Sequence, residues 1–477
     1  MNKQTKLRTE MIERNNNISF PIGTIAVVEE YFDKLHFSSV FGKYKKKGRD
    51  INVLTQALVS YKLTENLSIS KASEWINRTE VLNRYHLKAF EERTLFRVLE
   101  IVGKNCEEII FDIQNILFEK YQFEHTNINM DWTSLVLYGD KATLGKYGYS
   151  RDHRPDKKQI TLGVAELASP INVPIGMTVK AGNVNDMKHF EETYKQVRRK
   201  LREGSLVTFD KGANSKENLA SIEKDKMKHI TSKKLNTSDD KRIADFEKSK
   251  VEFIDSERMV YGIKFSKPSS YDYFFFSESL KHEQLEAKKR AAQRKFDEAK
   301  EIQQCLDENK ELPKKYLLNN KLIDVKYTYQ TKLKELGEEE AKKYIERVSI
   351  NGREGFFCIS STENLTLQQA LATYRQKDSI EKIFNSLKNE IEIKPVRVWT
   401  DNSIKGALLI GFLAQLIISL TRYEYATIKN ISTKFIKKSL MNLTVTVEYQ
   451  ENGAKKDIFS NFDEINCTIL GKKQAVT

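Results

Sequence analysis

Three acidic residues, Asp131, Asp210 and Glu381, have the types and settings that metal-dependent phosphodiester chemistry requires. Asp131 interrupts a strand-like run and Asp210 ends another, just before a Lys-Gly pair, whereas Glu381 lies in a helical pattern. Two divalent ions about 4 Å apart need oxygen ligands from separate elements, because one ion activates the attacking oxygen and the other stabilises the leaving oxygen. The three carboxylates are therefore candidate metal ligands and catalytic residues. From the residues alone, a structural charge network is an equal alternative.

The third acid lies beside an apolar stripe. Because an α-helix turns by about 100° per residue, five apolar residues fall on one side of it. They are Ile380, Ile383, Phe384, Leu387 and Ile391. Four side chains fall together at about 60° to 120° from Ile380, if the helix extends far enough back. They are Tyr374, Lys377, Glu381 and Lys388. A carboxylate there is held by packing yet open to a cleft, with two ammonium groups that can meet phosphate oxygens. This face suits DNA.

The helix block reads Tyr374-x2-Lys377-x3-Glu381-x6-Lys388. It resembles the Tyr-x2-Arg-x3-Glu-x6-Lys signature of prokaryotic insertion-sequence DDE transposases. Three further blocks resemble that family in the family's order, at residues 149–159, 182–190 and 207–214. The departure is Lys377, where the signature has Arg. Lysine keeps the charge but loses the planar bidentate fork, which affects the tightness of a phosphate contact.

The resemblance implies a DNA transposase that cleaves the ends of an insertion sequence and joins the 3′-hydroxyl ends to target DNA by two-metal phosphoryl transfer. The three acids would hold two Mg²⁺ ions, with Mn²⁺ as a possible substitute. The partner is double-stranded DNA, both element ends and target, and a homodimer is expected because two ends must be held together. Two alternatives stay open: a ribonuclease H-like DNA nuclease without strand transfer, and a domesticated non-catalytic DNA-binding protein.

The candidate DNA-binding residues are Tyr374, Lys377, Lys388, Arg151 and Arg397. The signature implies the first three. Arg151 belongs to a basic loop near the DNA or to a structural turn. Arg397 follows the catalytic helix, where Trp399 either stacks on a base or is buried as an anchor of the loop. Asp186 is expected to cap the helix that follows it rather than to bind metal.

Composition agrees with a partner made of phosphates. The 80 Lys and Arg outnumber the 66 Asp and Glu, which gives a net charge of +14. The four cysteines are far apart and form no Cys-x-x-Cys pair, so neither a zinc site nor a disulfide framework is indicated. The first twenty residues lack the apolar core of a signal peptide, so we expect a cytoplasmic protein. The apolar run at 406–420 is shorter than the roughly 20 residues of a spanning helix, which predicts a buried helix and no membrane partner.

The order of the predicted strands and helices that must position these residues indicates an α/β fold. Three strands, a helix and a fourth strand precede Asp210, which is the ribonuclease H-like order and implies a mixed sheet flanked by helices. Asp131 and Asp210 are 79 residues apart, but Asp210 and Glu381 are 171 apart. We therefore expect an α+β insertion before the last catalytic helix, in addition to an all-helical module at the N-terminus.

Six segments are predicted. They are an N-terminal segment at 1–45, a helical DNA-end-binding module at 46–120, the first part of the core at 121–235, an insertion with strands and a charged helical hairpin at 236–350, the second part of the core at 351–425 and a C-terminal segment at 426–477. The helical module is alternatively a packing domain or a dimer contact. The hairpin is either a solvated charged arm or a grip on DNA or a partner subunit.

Overall fold

The structure, a computed structural model, describes residues 18–44, 48, 50–65, 68–123, 127–139, 141–152, 154, 156–168, 173–246, 251–318, 320–449 and 455–471. Residues 1–17, on which the expected lack of an export signal largely depends, lie outside this range. The chain forms two compact units. The first comprises Met1–Lys228 with Arg375–Thr477, and the second comprises His229–Tyr374. All three candidate acids belong to the first unit.

The first unit begins with one short strand and a series of helices. They are β1 (Ile18–Pro21), α1 (Gly23–Lys34), α2 (Phe37–Phe41), α3 (Ile51–Thr64), α4 (Ile69–Ile76), α5 (Thr79–Arg84), α6 (Arg93–Lys104) and α7 (Cys106–Tyr121). Asp50 and Ser68 cap α3 and α4, because each side chain accepts hydrogen bonds from the first turn. Among the described residues between α3 and α7 there are helices and no strand.

The sheet of the first unit follows. Its elements are β2 (Ile128–Val136), β3 (Gln159–Leu167), β4 (Pro174–Ala181), α8 (Asp186–Arg198), β5 (Leu206–Phe209) and α9 (Lys216–Lys224). The strand order is β4-β3-β2-β5. The strands β4, β3 and β2 pair antiparallel, whereas β5 pairs parallel with β2. The predicted mixed sheet in an α/β fold is thus confirmed.

The second unit contains antiparallel strands and a helical arm. Its strands are β6 (Lys228–Lys233), β7 (Glu252–Asp255), β8 (Val260–Ser266), β9 (Tyr271–Ser277), β10 (Leu317–Leu318), β11 (Lys321–Leu322) and β12 (Phe356–Ser361). Its helices are α10 (Thr237–Ala244), α11 (Glu278–Asp307), α12 (Asp324–Leu336), α13 (Glu338–Ser349) and α14 (Leu367–Arg375). Antiparallel pairing gives the order β6-β12-β9-β8-β7. Helices α11, α12 and α13 enclose a small apolar core of their own, which includes Phe296 and Leu333.

The chain then returns to the first unit. The elements there are α15 (Asp378–Asn385), a π-helical segment (Ser386–Glu390), α16 (Asp401–Glu424), α17 (Thr433–Asn442), β13 (Thr444–Tyr449), β14 (Lys455–Ser460) and α18 (Glu464–Leu470). Strand β13 pairs with both β1 and β14, so the two ends of the described chain meet in one small sheet.

The predicted buried helix is α16. By length and composition it could cross a membrane, but it is buried inside the first unit from Leu408 to Thr421. Two glycines allow a close approach to α6. A Cβ on Gly406 would overlap the backbone carbonyl of Leu99, and a Cβ on Gly103 would overlap that of Asn402. The two helix backbones therefore touch where no side chain separates them.

The helix that carries Glu381 is not continuous. Helix α14 ends at Arg375, α15 begins at Asp378, and the π-helical segment follows directly. The carbonyl of Gln376 accepts bonds from the backbone N–H and the hydroxyl of Ser379, at 3.1 and 2.7 Å, which interrupts the regular ladder. The condition for one shared stripe, a regular helix that extends back to Tyr374, is therefore not met.

A buried hydrogen-bonded cluster attaches α15 to the sheet. The Asn129 amide of β2 donates to Glu166 Oε1 of β3 at 3.0 Å and to Ser379 Oγ of α15 at 3.1 Å. Ser379 Oγ also donates to the Glu166 carboxylate. We call Asn129, Glu166 and Ser379 the clasp. Burial raises the pKa of Glu166 to about 7, against the opposing effects of its two hydrogen-bond donors and of the Lys377 charge.

The glycine contact between α6 and α16 predicts a local cost of added volume. Gly406→Ala should destabilise the protein by about 1–3 kcal/mol, because the helices must separate or bend to admit the methyl group. Gly42→Ala is the matched control, since nothing lies within 4 Å of a Cβ there and it should stay within about 0.5 kcal/mol of the wild type. Urea unfolding measures both, and equal stability of the two variants would contradict the close approach.

The clasp predicts a pH-dependent stability. Glu166 has an ordinary pKa of 4.5 and a folded pKa of about 7, so the folded state holds its proton more tightly than the unfolded state. The free energy of unfolding of the protein should therefore fall as pH rises from 4.5 to 7, by about 3 kcal/mol in total, and then level off. Glu166→Gln cannot ionise, so it should gain on the wild type across that window.

Urea unfolding at several pH values measures this difference. The matched control is Glu119→Gln, which changes an exposed carboxyl group on α7. If Glu166→Gln and the wild type show parallel pH profiles, the carboxyl group is not the origin of the effect.

Candidate active site

The first two acids meet because their strands are parallel neighbours. Asp131 lies in the middle of β2, two residues after Asn129, which pairs with Thr208 of β5. Asp210 follows the end of β5 by one residue. Burial is the main cause that raises the pKa of the Asp131 carboxyl, and the charge of Asp210 raises it further. The two carboxylates are therefore close enough to repel each other.

Asp210 also shapes the turn that follows it. Its side chain accepts a hydrogen bond from the Lys211 N–H at 2.8 Å and caps the short turn Lys211–Ala213. The bond uses one carboxylate oxygen, and it fixes the side chain at the end of the strand.

Glu381 reaches the same region through Lys377. Glu381 lies in the first turn of α15 with 63% of its side chain exposed, whereas the Lys377 side chain is only 7% exposed. The Lys377 ammonium is 3.5 Å from Glu381 Oε1. Its charge also opposes the rise in the pKa of Asp131. Lys377 thus lies between the sheet acid and the helix acid.

Arg151 and Asp186 also lie near these acids. The Arg151 guanidinium donates to Asp186 Oδ2 at 2.7 Å, and its backbone N–H donates to Ser134 Oγ of β2 at 2.8 Å. The charge of Arg151 opposes the rise in the pKa of Asp131 and also in that of Asp186. Arg151 therefore lies near the acids, and its contact with DNA stays a prediction.

Asp186 is a residue that the sequence analysis assigned wrongly. The helix cap is Asn185, whose side chain accepts from the Lys188 N–H. Asp186 instead faces the acids: burial raises its pKa and the charge of Asp210 raises it further. A Cβ on Gly212 would lie 2.6 Å from Asp186 Oδ2, so the glycine leaves room for this carboxylate. The adjacent Asn185 could have indicated this, because an asparagine caps a helix as well as an aspartate does and leaves the Asp186 carboxylate for another role.

Lys388 lies on the π-helical segment and faces the loop that carries Arg151. Its ammonium is 3.3 Å from Asp152 Oδ1, and Lys394 reaches the same oxygen at 3.3 Å. Burial lowers the pKa of Lys388, and Asp152 opposes that change. Since Arg151 also acts on this pKa, the two cations lie near each other.

The remaining predicted residues have other surroundings. Tyr374 lies on α14 in the second unit, and its contact with DNA stays a prediction. Arg397 is exposed and lies near Lys62 of α3, whose pKa it helps to lower after the larger effect of burial. Trp399 is 57% exposed, with the Lys141 ammonium 5.5 Å from its ring centre. The interpretation of Trp399 as a buried anchor is therefore wrong.

The donor set fits a hard divalent cation. Among the described residues, no three His, Cys, Asp or Glu side chains already stand together at metal-binding distance. Nevertheless Asp131 and Asp210 repel each other. The Lys377 ammonium lies near Asp131 and pairs with Glu381, so a cation already stands between these two carboxylates. Carboxylate oxygens with excess negative charge are the ligands that Mg²⁺ and Mn²⁺ prefer.

Comparison with known proteins agrees with this chemistry. No curated protein matches the chain. Among solved structures, a piggyBac transposase synaptic complex with hairpin DNA, determined by cryo-EM, is similar over 90% of this chain and 80% of that chain, with 10% identity and a TM-score of 0.41. The family described as "Transposase DDE domain" matches residues 123–417. Because this match covers more than half of the 477 residues, the chain belongs to the transposase DDE domain family.

Proposed function

We propose that this chain is a DNA transposase of a prokaryotic insertion sequence, which cleaves the element ends and joins their 3′-hydroxyl groups to target DNA at one site. Family membership already implies a metal-dependent enzyme of DNA cleavage and transposition. The observation that carries the finer proposal is the buried ammonium of Lys377, 3.5 Å from Glu381 and close enough to act on Asp131. This ammonium links Asp131 of β2 with Glu381 of α15, and Asp210 lies near Asp131.

Asp131, Asp210 and Glu381 would hold two Mg²⁺ ions, or Mn²⁺ in their place. When bound, these ions would supply an activated attacking oxygen and a stabilised leaving oxygen. The side chains of the chain itself hold the geometry: Asp131 is fixed in a strand, Asp210 in a capped turn, and Glu381 on a helix that the clasp attaches to the sheet. Such fixed carboxylates need little rearrangement in each step.

The cations around the acids would bind and orient DNA phosphates. Lys377, Lys388 and Arg151 would meet the scissile region, and Tyr374 and Arg397 would also contact the DNA. Asp186 orients Arg151 through their 2.7 Å ion pair. The exposed Trp399 with its neighbouring lysine is suited to stacking on a base.

We assign the sheet of the first unit to the ribonuclease H-like class. Support comes from its order β4-β3-β2-β5, from antiparallel pairing of the first three strands and from the parallel fourth strand after a helix. We further propose a cytoplasmic homodimer that holds two DNA ends, with the helices α3 to α7 recognising the ends. A nuclease without strand transfer remains the second candidate, because hydrolysis and strand transfer use the same acids.

The acids are tested by charge-removing substitutions that keep size. Asp210→Asn and Glu381→Gln should each reduce Mg²⁺-dependent DNA cleavage by at least about 1,000-fold, because each removes a ligand from the reacting centre. DNA affinity should change little, since basic groups carry binding. Cleavage of element-end DNA and filter binding measure the two effects.

The matched control is Asp378→Asn, which removes an exposed carboxylate from the same helix. It should retain cleavage. Pre-cleaved end DNA mixed with a plasmid then separates the two candidate functions, because a transposase joins the 3′-hydroxyl to the plasmid and a nuclease does not. Wild-type cleavage by Asp210→Asn, or turnover in chelator, would refute the site.

The phosphate role of Lys388 is tested by salt dependence. Lys388→Ala should reduce the slope of log K against log salt by about 0.9, the value for one lost contact with duplex DNA. Strand transfer should fall further than binding, because a misplaced phosphate loses alignment with the acids. Lys382→Ala, which removes the same charge from an exposed position of α15, is the control. An unchanged slope in Lys388→Ala would show that this lysine does not meet DNA.

A further inference from the structure

Lys377 is an unusual cation for a DNA-binding surface because it is buried. The residue is 5% exposed, and its ammonium pairs with Glu381 at 3.5 Å. Its charge also acts on Asp131 and Glu166, and in both cases it opposes the rise in pKa that burial causes. A buried ammonium is tolerated only where negative groups compensate its loss of water. Here the compensating groups include two of the proposed metal ligands.

Neighbouring contacts hold the backbone at Lys377, whereas a lysine side chain has several bonds about which it can rotate. Lys377 directly precedes α15, and the clasp holds Ser379, two residues later, through the buried Asn129 and Glu166. In contrast, the lysine stem has four carbons and a compact charge with rotatable donors. The ammonium can therefore move between acceptors while the backbone and Glu381 stay in place.

We propose that the Lys377 ammonium neutralises the acidic centre before metal binding, and that it is displaced to a DNA phosphate when divalent metal binds. This inference rests on the proposed function, because it takes Asp131 and Glu381 as metal ligands. The Lys377 ammonium and the metal ion compete for the same carboxylates, so Lys377 weakens metal binding in the absence of DNA. A DNA phosphate gives the displaced ammonium a new anionic partner.

The consequence is coupling between the two ligands. If DNA removes Lys377 from the carboxylates, it must tighten metal binding, and by reciprocity metal must tighten DNA binding by the same factor. DNA phosphates that ligate the metal directly would also produce coupling. Removing the Lys377 charge separates the two causes, because only the displacement mechanism also predicts tighter metal binding without DNA.

The experiment is a Mn²⁺ titration of the full chain, with free Mn²⁺ measured by electron paramagnetic resonance, in the absence and presence of a mixed-sequence DNA duplex. Lys377→Met should bind Mn²⁺ at least about 5-fold more tightly than the wild type without DNA, the lower end of typical couplings. The duplex should tighten Mn²⁺ binding by the wild type by more than it does for Lys377→Met. Lys377→Arg keeps the charge and gains a bidentate fork, so it should bind Mn²⁺ no more tightly than the wild type.

Lys382→Met is the matched control, since it removes one lysine charge from an exposed position on α15, five residues after Lys377. It should behave as the wild type. Thermal unfolding gives a second measurement: Mn²⁺ should raise the melting temperature of Lys377→Met more than that of the wild type. This comparison holds even if the variant is less stable without metal.

Two failures are distinguishable. If Asp131→Asn weakens Mn²⁺ binding but Lys377→Met equals the wild type with and without DNA, the displacement is refuted and the proposed function stands. If Asp131→Asn binds Mn²⁺ as the wild type does, the proposed metal site fails and the displacement fails with it.

Discussion

The arrangement of the acidic centre depends on the clasp of Asn129, Glu166 and Ser379. Asp131 is two residues beyond Asn129 on β2, and Glu381 is two residues beyond Ser379 on α15. Three hydrogen bonds between those buried side chains therefore set the spacing of two acids that are 250 residues apart in the chain. The parallel pairing of β2 with β5 adds the third acid. Because the clasp is buried, its bonds do not compete with water, and loss of one member leaves the others unsatisfied.

The fixed spacing creates a charge problem that the surrounding cations solve. Burial and the negative charge of Asp210 both raise the pKa values of Asp131 and Asp186. Lys377 and Arg151 oppose this rise at Asp131, and Arg151 opposes it at Asp186 through a direct ion pair. Each of these cations thus offsets part of the negative charge of the carboxylate that it acts on, and under the proposed function a bound metal ion would take its place. Clustered carboxylates of this kind store repulsion that a bound cation relieves.

The sequence predicted much of the fold because its signals are local. The strand β3, the buried helix α16 and the mixed sheet depend on short patterns, and the predicted DDE transposase family is confirmed. The prokaryotic insertion-sequence origin remains a prediction. The break before α15 was not predictable, because Ser379 bonds to partners about 213 and 250 residues away. Asp186 was misassigned because its neighbour Asn185 satisfies the cap, a choice between adjacent residues that spacing does not resolve.

The departure from the family signature gains a physical meaning from this geometry. An arginine at position 377 would present a planar fork that can hold a carboxylate through two parallel bonds, and it would keep that grip more firmly than a lysine. Lys377 instead meets Glu381 at 3.5 Å, beyond an ideal charge-assisted hydrogen bond. The substitution therefore weakens the contact that a metal ion must replace, while the charge that a phosphate needs is retained. A lysine in this position exchanges partners more easily, so the same residue can neutralise the acids in one state and bind DNA in the next.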